Sequence, residues 1–225
     1  MLACVVLGAS SAFASTTGMF AIDTDTYVDS LYPATNYGTS NVVKVVVNGG
    51  GSNNSLVRGL FCLPADALAI PAEDVVSARV WFYTFKNSTG DRSVELHPLT
   101  SAFNEAEATW SGPTAGASWA TGGGDYDAST SVTAIEGTNW FCFDITSLWS
   151  NANLRTYGAM LKMNDESMAG ASSMPRAPFT SSDGTTASER PYVEITCTPE
   201  PAALVMLAMG GVLVLRKRWI HSCDA

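Results

Sequence analysis

Between residues 15 and 198, apolar and polar positions alternate in short runs, and clusters of Gly, Asn, Ser and Asp separate the runs. A period of two marks strands with one buried face, and helical periodicity is almost absent. The pattern predicts about nine short strands: Thr26–Asp29, Val42–Val47, Leu56–Leu63, Val76–Phe85, Ser93–Leu99, Trp140–Ile145, Tyr157–Met163, Phe179–Ser181 and Tyr192–Cys197. Residues 49–54 and 87–91 read as turns, because Gly, Asn, Ser and Asp accept positive φ and hydrogen-bond their own backbone. One or two helical turns are expected over Thr146–Ala152, and a long irregular arm from Ala115 to Thr133. The pattern supports a single all-β sandwich over residues 15–198.

The two ends depart from this pattern. Residues 1–14 hold an apolar stretch that closes on Ala12-Phe13-Ala14, a small-x-small ending suited to signal peptidase. They are expected to be a signal peptide; a core strand over Val5-Val6-Leu7 is the other reading. At the far end Pro199-Glu200-Pro201 stops the last strand, since proline cannot feed a sheet ladder. Ala202 to Leu215 is then wholly apolar, and Arg216-Lys217-Arg218 follows directly. A basic cluster behind an apolar run marks a membrane helix whose C-terminal flank stays cytoplasmic, which leaves the domain outside. The run is shorter than the roughly 20 residues of a full span, a gap that snorkelling basic side chains narrow. The alternative is a C-terminal helix buried in the domain, which would need protein on every side.

This order over residues 199–218 resembles the PEP-CTERM sorting signal of Gram-negative bacteria. The resemblance implies export and transient anchoring in the inner membrane. It also implies recognition by an exosortase-type sorting protease, with retention at the cell surface or in extracellular polysaccharide. Trp219 to Ala225 extends past the usual end of such tails.

Charge narrows the partners. Lys and Arg number 12 against 21 Asp and Glu, a net charge of −9, with no basic patch, so nucleic acid is not an expected partner. Cys62, Cys142 and Cys197 are too far apart for a zinc knuckle and odd in number for a closed disulfide set. Each sits in an apolar, strand-like context and reads as a small buried hydrophobe; one bridge between any two is the alternative.

From Asp25 to Thr196 the order of short motifs resembles the DNRLRE domain, also classed as carbohydrate-binding module family 96. The marks are Asp25-Thr26-Tyr27-Val28, Asn36-Tyr37-Gly38-Thr39, Arg58 before Leu60-Phe61, and Leu63-Pro64 leading to Ile70-Pro71. They continue with Ser77-Ala78 before Val80 and Phe82, Phe103-Asn104-Glu105 with Thr109-Trp110, and Gly123-Gly124-Asp125-Tyr126-Asp127. Phe143-Asp144-Ile145-Thr146, Tyr157-Gly158, Phe179-Thr180-Ser181-Ser182 and Arg190-Pro191-Tyr192-Val193 complete the series. The resemblance implies a β-jelly-roll that binds polysaccharide without catalysis. Phe103 stands where such domains usually have Trp, and Cys62 where they often have Phe-Asp.

If Ala78, Val80 and Phe82 face the core, period two sends Arg79, Trp81, Tyr83 and Phe85 to the other face. Aromatic faces stack on sugar rings, and Arg79 would hold hydroxyls or a uronate carboxylate. The same parity places Lys44 opposite Val43, Val45 and Val47, and Lys162 opposite Leu161 and Met163. The competing expectation is that the 115–133 arm covers this stripe as a second core. Asp23 and Asp25, with Asp125 and Asp127 of a loop, offer hard oxygen ligands for a structural calcium, turn-capping being the alternative. Glu105 reads as a hydrogen-bonding anchor, and paired with Glu107 it would share a strand face rather than oppose it across a cleft. His97 lies in a strand-like run before Pro98 with no nucleophile elbow nearby, so a structural role is expected. A glycan-binding module is the leading reading, a structural envelope or matrix protein the second, and a polysaccharide-active enzyme the third.

Overall fold

A computed structural model describes residues 15–49, 54–85, 93–167 and 175–198. The expected signal peptide and the sorting segment lie outside the described residues. Among the described residues twelve strands are present: β1 (Thr16–Ala21), β2 (Asp25–Asp29), β3 (Val42–Asn48), β4 (Ser55–Phe61), β5 (Val75–Tyr83) and β6 (Val94–Pro98). β7 (Val132–Thr133), β8 (Ile135–Glu136), β9 (Trp140–Asp144), β10 (Ala159–Met163), β11 (Arg176–Thr180) and β12 (Tyr192–Cys197) follow. Two short helices, α1 (Ala65–Leu68) and α2 (Ala152–Tyr157), interrupt the strand series. All nine expected strands are present. β1, β7 and β8 were not expected, for a physical reason: β7 and β8 are two residues long, and β1 is an edge strand with few buried positions.

The strands form two sheets. The first runs β1-β12-β5-β9-β8; the second runs β11-β3-β4-β10-β6-β7, with β2 also paired to β4. Every named pairing is antiparallel, so each strand can turn one face to the core and the other outward. Ala78, Val80 and Phe82 of β5, Phe141 and Phe143 of β9, and Val193 and Ile195 of β12 line the inner face of the first sheet at 0% exposure. Val43, Val45, Ala177, Phe179, Ala159 and Leu161 meet them from the second sheet. Phe82 makes ring contacts with Phe61, Phe143 and Phe179, which ties the two sheets at the centre.

The second sheet carries another apolar cluster on its far side, where Val28, Leu60, Met160 and Leu99 pack with Trp119. Trp119 belongs to the irregular arm, and its indole N–H donates to the Thr109 carbonyl at 2.9 Å. Phe103, Trp110 and Tyr126 join this cluster. The arm therefore lies on the second sheet, not on the β5 stripe. Gly123 lets it approach so closely: its φ is +88°, and a Cβ there would meet the Trp110 ring at 2.6 Å. The helical turns expected over Thr146–Ala152 appear as a 3-10 turn at Thr146–Leu148 and the start of α2, whose Asn151 side chain caps Leu154 N–H.

Trp119 fills a buried site against four apolar side chains. Trp119→Ala should therefore lower unfolding free energy by about 3 to 5 kcal/mol, within the range of large core truncations, as read from the urea midpoint.

Candidate functional site

The inner-facing parity of β5 fixes its outer face. Register places Trp81 opposite Tyr192 of β12 on one side and Cys142 of β9 on the other, with Ala21 and Ile135 extending the row. The next row pairs Tyr83 with Trp140. Four rings meet there. Trp81 and Tyr192 stack at 6.3 Å with planes 17° apart, Trp140 contacts Tyr192 edge-on at 5.4 Å, and Tyr83 contacts Trp140 at 5.3 Å. All four are half-buried, so each is fixed by neighbours yet still presents surface. The Trp81 indole N–H is enclosed and has no acceptor among the described residues, so packing rather than a hydrogen bond holds the ring.

Tyr192 and Trp140 belong to this cluster but were not singled out from sequence. The signal was present: with Val193 and Ile195 inward, Tyr192 points out, and with Phe141 and Phe143 inward, so does Trp140. What sequence lacked was the strand order that makes them neighbours of Trp81 and Tyr83.

The polar rim is acidic. Arg79 lies in the row beside Trp81, between Asp144 and Glu194. Its guanidinium is 3.8 Å from Asp144 and 3.5 Å from Glu194. One cation shared by two carboxylates is not free to clamp a uronate. The Thr146 hydroxyl and backbone N–H, with Arg79, hold the Asp144 carboxyl below its usual range against the opposing effect of desolvation.

Other expected site residues lie elsewhere. Phe85 follows the end of β5 and is 45% exposed, lining a small notch with Thr180, Thr185 and Glu189. Lys44 is on β3 of the second sheet, its ammonium 5.0 Å from the Tyr27 ring centre. Lys162 corrects the expectation. It is on β10 of the second sheet and buried, its ammonium donating to the Met163 carbonyl at 2.9 Å and lying 3.8 Å from Glu166, so it presents nothing to a glycan. The 115–133 arm, whose competing expectation was to cover the β5 stripe, lies on this sheet instead, and its Gly123 carbonyl is 3.4 Å from Arg58.

The carboxylates considered for calcium have protein donors. Asp25 is buried and accepts from the Ser182 N–H at 2.8 Å and the Ser182 hydroxyl at 3.2 Å. Asp125 accepts from Ala120 and Thr121 N–H, and Asp127 from Ser129 and Thr130. Among the described residues no group of three or more His, Cys, Asp and Glu is placed to hold a metal ion. Glu105 is the anchor expected of it, its carboxylate accepting the Asp25 N–H at 2.9 Å. His97 is 4% exposed and meets the Asp127 carbonyl at 3.1 Å and Glu95 at 3.2 Å, a structural role. The three cysteines are free thiols, and burial raises all three, Cys62 to about 11.

Residues 16–196 match the model of carbohydrate-binding module family 96. The chain belongs to carbohydrate-binding module family 96. No curated protein matches it. Several motif residues that carried the likeness hold the module's own structure. Asn36 donates to the carbonyls of Glu105 and Ala108 at 2.7 and 2.8 Å, and Arg58 forms a bidentate pair with Glu166 at 2.8 and 2.7 Å. Of the four rings in the cluster, Tyr192 belongs to one of these motifs, and Trp81, Tyr83 and Trp140 lie outside them.

Burial raises the Asp25 carboxyl to about 7, with the Ser182 backbone bond pulling down and the charge of Glu105 pushing up. In the unfolded chain an Asp titrates near about 3.9. Between these values the native module binds more protons than the unfolded chain, so this group's contribution to stability falls as pH rises from about 4 to about 7. Asp25→Asn, which keeps an acceptor for Ser182, should flatten that decline in melting temperature across the same window.

Proposed function

We propose that the outward ring cluster of the first sheet, Trp81, Tyr83, Trp140 and Tyr192, is the polysaccharide-binding surface of this module, and that the module acts by binding rather than catalysis. The observation that carries this reading is the half-exposed, mutually packed set of four rings on a sheet face, while the arm covers the other sheet. Aromatic faces packed in fixed orientations offer apolar area at little entropic cost, which suits the C–H faces of sugars. The ligand is an uncharged glycan, because Arg79 is already neutralised and the rim keeps a carboxylate excess. Trp81→Ala in the full chain should weaken neutral-polysaccharide binding by about 1 to 3 kcal/mol, the range of a contact that dominates an interface, with melting nearly unchanged. Loss of the cooperative melt, or wild-type protein that no neutral glycan retards in affinity electrophoresis, would overturn this assignment.

The same proposal extends to location. The signal-like residues 1–14 and the segment from Pro199 to Arg218 support export, processing by an exosortase-type protease and residence at the surface or in extracellular polysaccharide. Among the described residues no helix is long and apolar enough to cross a membrane, and the run from Ala202 to Leu215 lies outside them. Fractionation of the native host should find the protein outside the cytoplasm without its tail; full-length protein held in the cytoplasm would refute it.

A further inference from the structure

Sheet edges carry unpaired backbone N–H and C=O groups, and folded chains protect them with short strands, charge, proline or cover. Among the described residues, the other edges of this module have such protection. β7 and β8 are two residues long, and β8 ends on Glu136. β11 carries Arg176 and Pro178, which has no N–H to offer, and an isolated bridge joins Phe179 to Thr84. β2 is buried over residues 25–28. β1 differs on every count. It is six residues long, Thr-Thr-Gly-Met-Phe-Ala, with no charge and no proline. It pairs with β12 on one side, and no described strand lies on the other. Met19, near its middle, is 68% exposed.

The register shows which backbone groups are open. Ile22 N–H donates to the Pro191 carbonyl at 3.1 Å, one step beyond the β1–β12 pairs and in the same register. Antiparallel ladders alternate, so Thr16, Gly18 and Phe20 turn their backbone groups to β12, and Thr17, Met19 and Ala21 turn theirs to the open edge. The open set is centred on Met19. Such a strand is its own antiparallel complement: under a two-fold axis at Met19, Thr17 lies opposite Ala21 of a second copy, and Met19 opposite Met19. Each pair would exchange two backbone bonds. A two-fold axis also brings like charges together, so a self-pairing edge must be neutral, and residues 15–22 hold no charge in a chain of net charge −9. Gly18 falls opposite Phe20 of the second copy, so the large ring meets a residue without a side chain.

We infer that β1 is a dimer edge, to which a second copy of this chain adds its own β1 in antiparallel register centred on Met19. Main-chain bonds along an added strand supply the affinity. The pairing would join the two five-stranded sheets into one continuous sheet. Opposed residues of antiparallel strands share a face, so both outer faces would point the same way. Trp81 of one copy would lie about 24 Å from Trp81 of the other, for strands spaced about 4.8 Å apart. The inference does not rest on the ring cluster being a glycan site. Where both hold, the dimer presents two ring clusters to one polymer, and binding of the second becomes intramolecular.

The test is sedimentation equilibrium of the full chain in non-ionic detergent, which keeps the apolar run from Ala202 to Leu215 in solution. The wild type should have the mass of a dimer. Met19→Lys places two like charges at the axis, and Met19→Pro removes the central N–H of the open edge. Each should raise the dimer dissociation constant at least tenfold without altering the far-ultraviolet circular dichroism, and Met19→Lys decides the matter if the proline variant does not fold. Trp81→Ala should stay dimeric, which separates failure of this edge from failure of the ring cluster. Under oxidation Met19→Cys should give a disulfide between the two copies at position 19 by peptide mapping. Hydrogen-bonded antiparallel partners sit about 5.5 Å apart at Cα, within disulfide reach. The inference is overturned if the wild type is a monomer, if Met19→Lys leaves the dissociation constant within tenfold of wild type, if Trp81→Ala abolishes the dimer, or if no disulfide joins the copies at position 19.

Discussion

The arm's hold on the second sheet depends on one buried cation. Arg58 projects from β4 at 7% exposure and donates through two nitrogens to the Glu166 carboxylate, with a third contact to the Gly123 carbonyl at 3.4 Å. Tyr126 of the arm and Trp110 ahead of it lie 5.5 and 5.2 Å from its guanidinium carbon. Planar stacking and a bidentate carboxylate are two things that guanidinium does and ammonium does not. Desolvating such a pair gives little net stability, yet removing one partner would strand the other in an apolar setting. Through the Gly123 carbonyl and the Tyr126 ring, this cation ties the arm to the second sheet.

The proposed binding surface follows from where the arm lies. Two sheets have two outer faces, and a sandwich must cover or use each large apolar patch. Here the arm covers the second sheet with Trp119 and Tyr126, and Phe103 and Trp110 ahead of it join the same cluster. The first sheet keeps its rings half-exposed, and its charged row of Glu194, Arg79 and Asp144 keeps an excess of one carboxylate.

Sequence by itself determined nine of the described strands and the inward face of β5. The alternation of Ala78, Val80 and Phe82 with Arg79, Trp81 and Tyr83 places the latter outward whatever the partners are, since side chains on a strand alternate by geometry. It also marked His97 as structural, since no nucleophile elbow accompanies it, and the family resemblance marked Glu105 as an anchor. Tertiary structure alone decided which strands adjoin, and so brought Tyr192 and Trp140 to Trp81 across positions far apart in the chain. It also buried Lys162 and left Lys44 half-exposed, although both sit at the outer parity of a strand. The reason is that period two tells a residue's face but not what covers that face. The cover on β10 comes from an arm with no periodicity to read, fixed by Arg58, Gly123 and Trp119 only once the chain has closed.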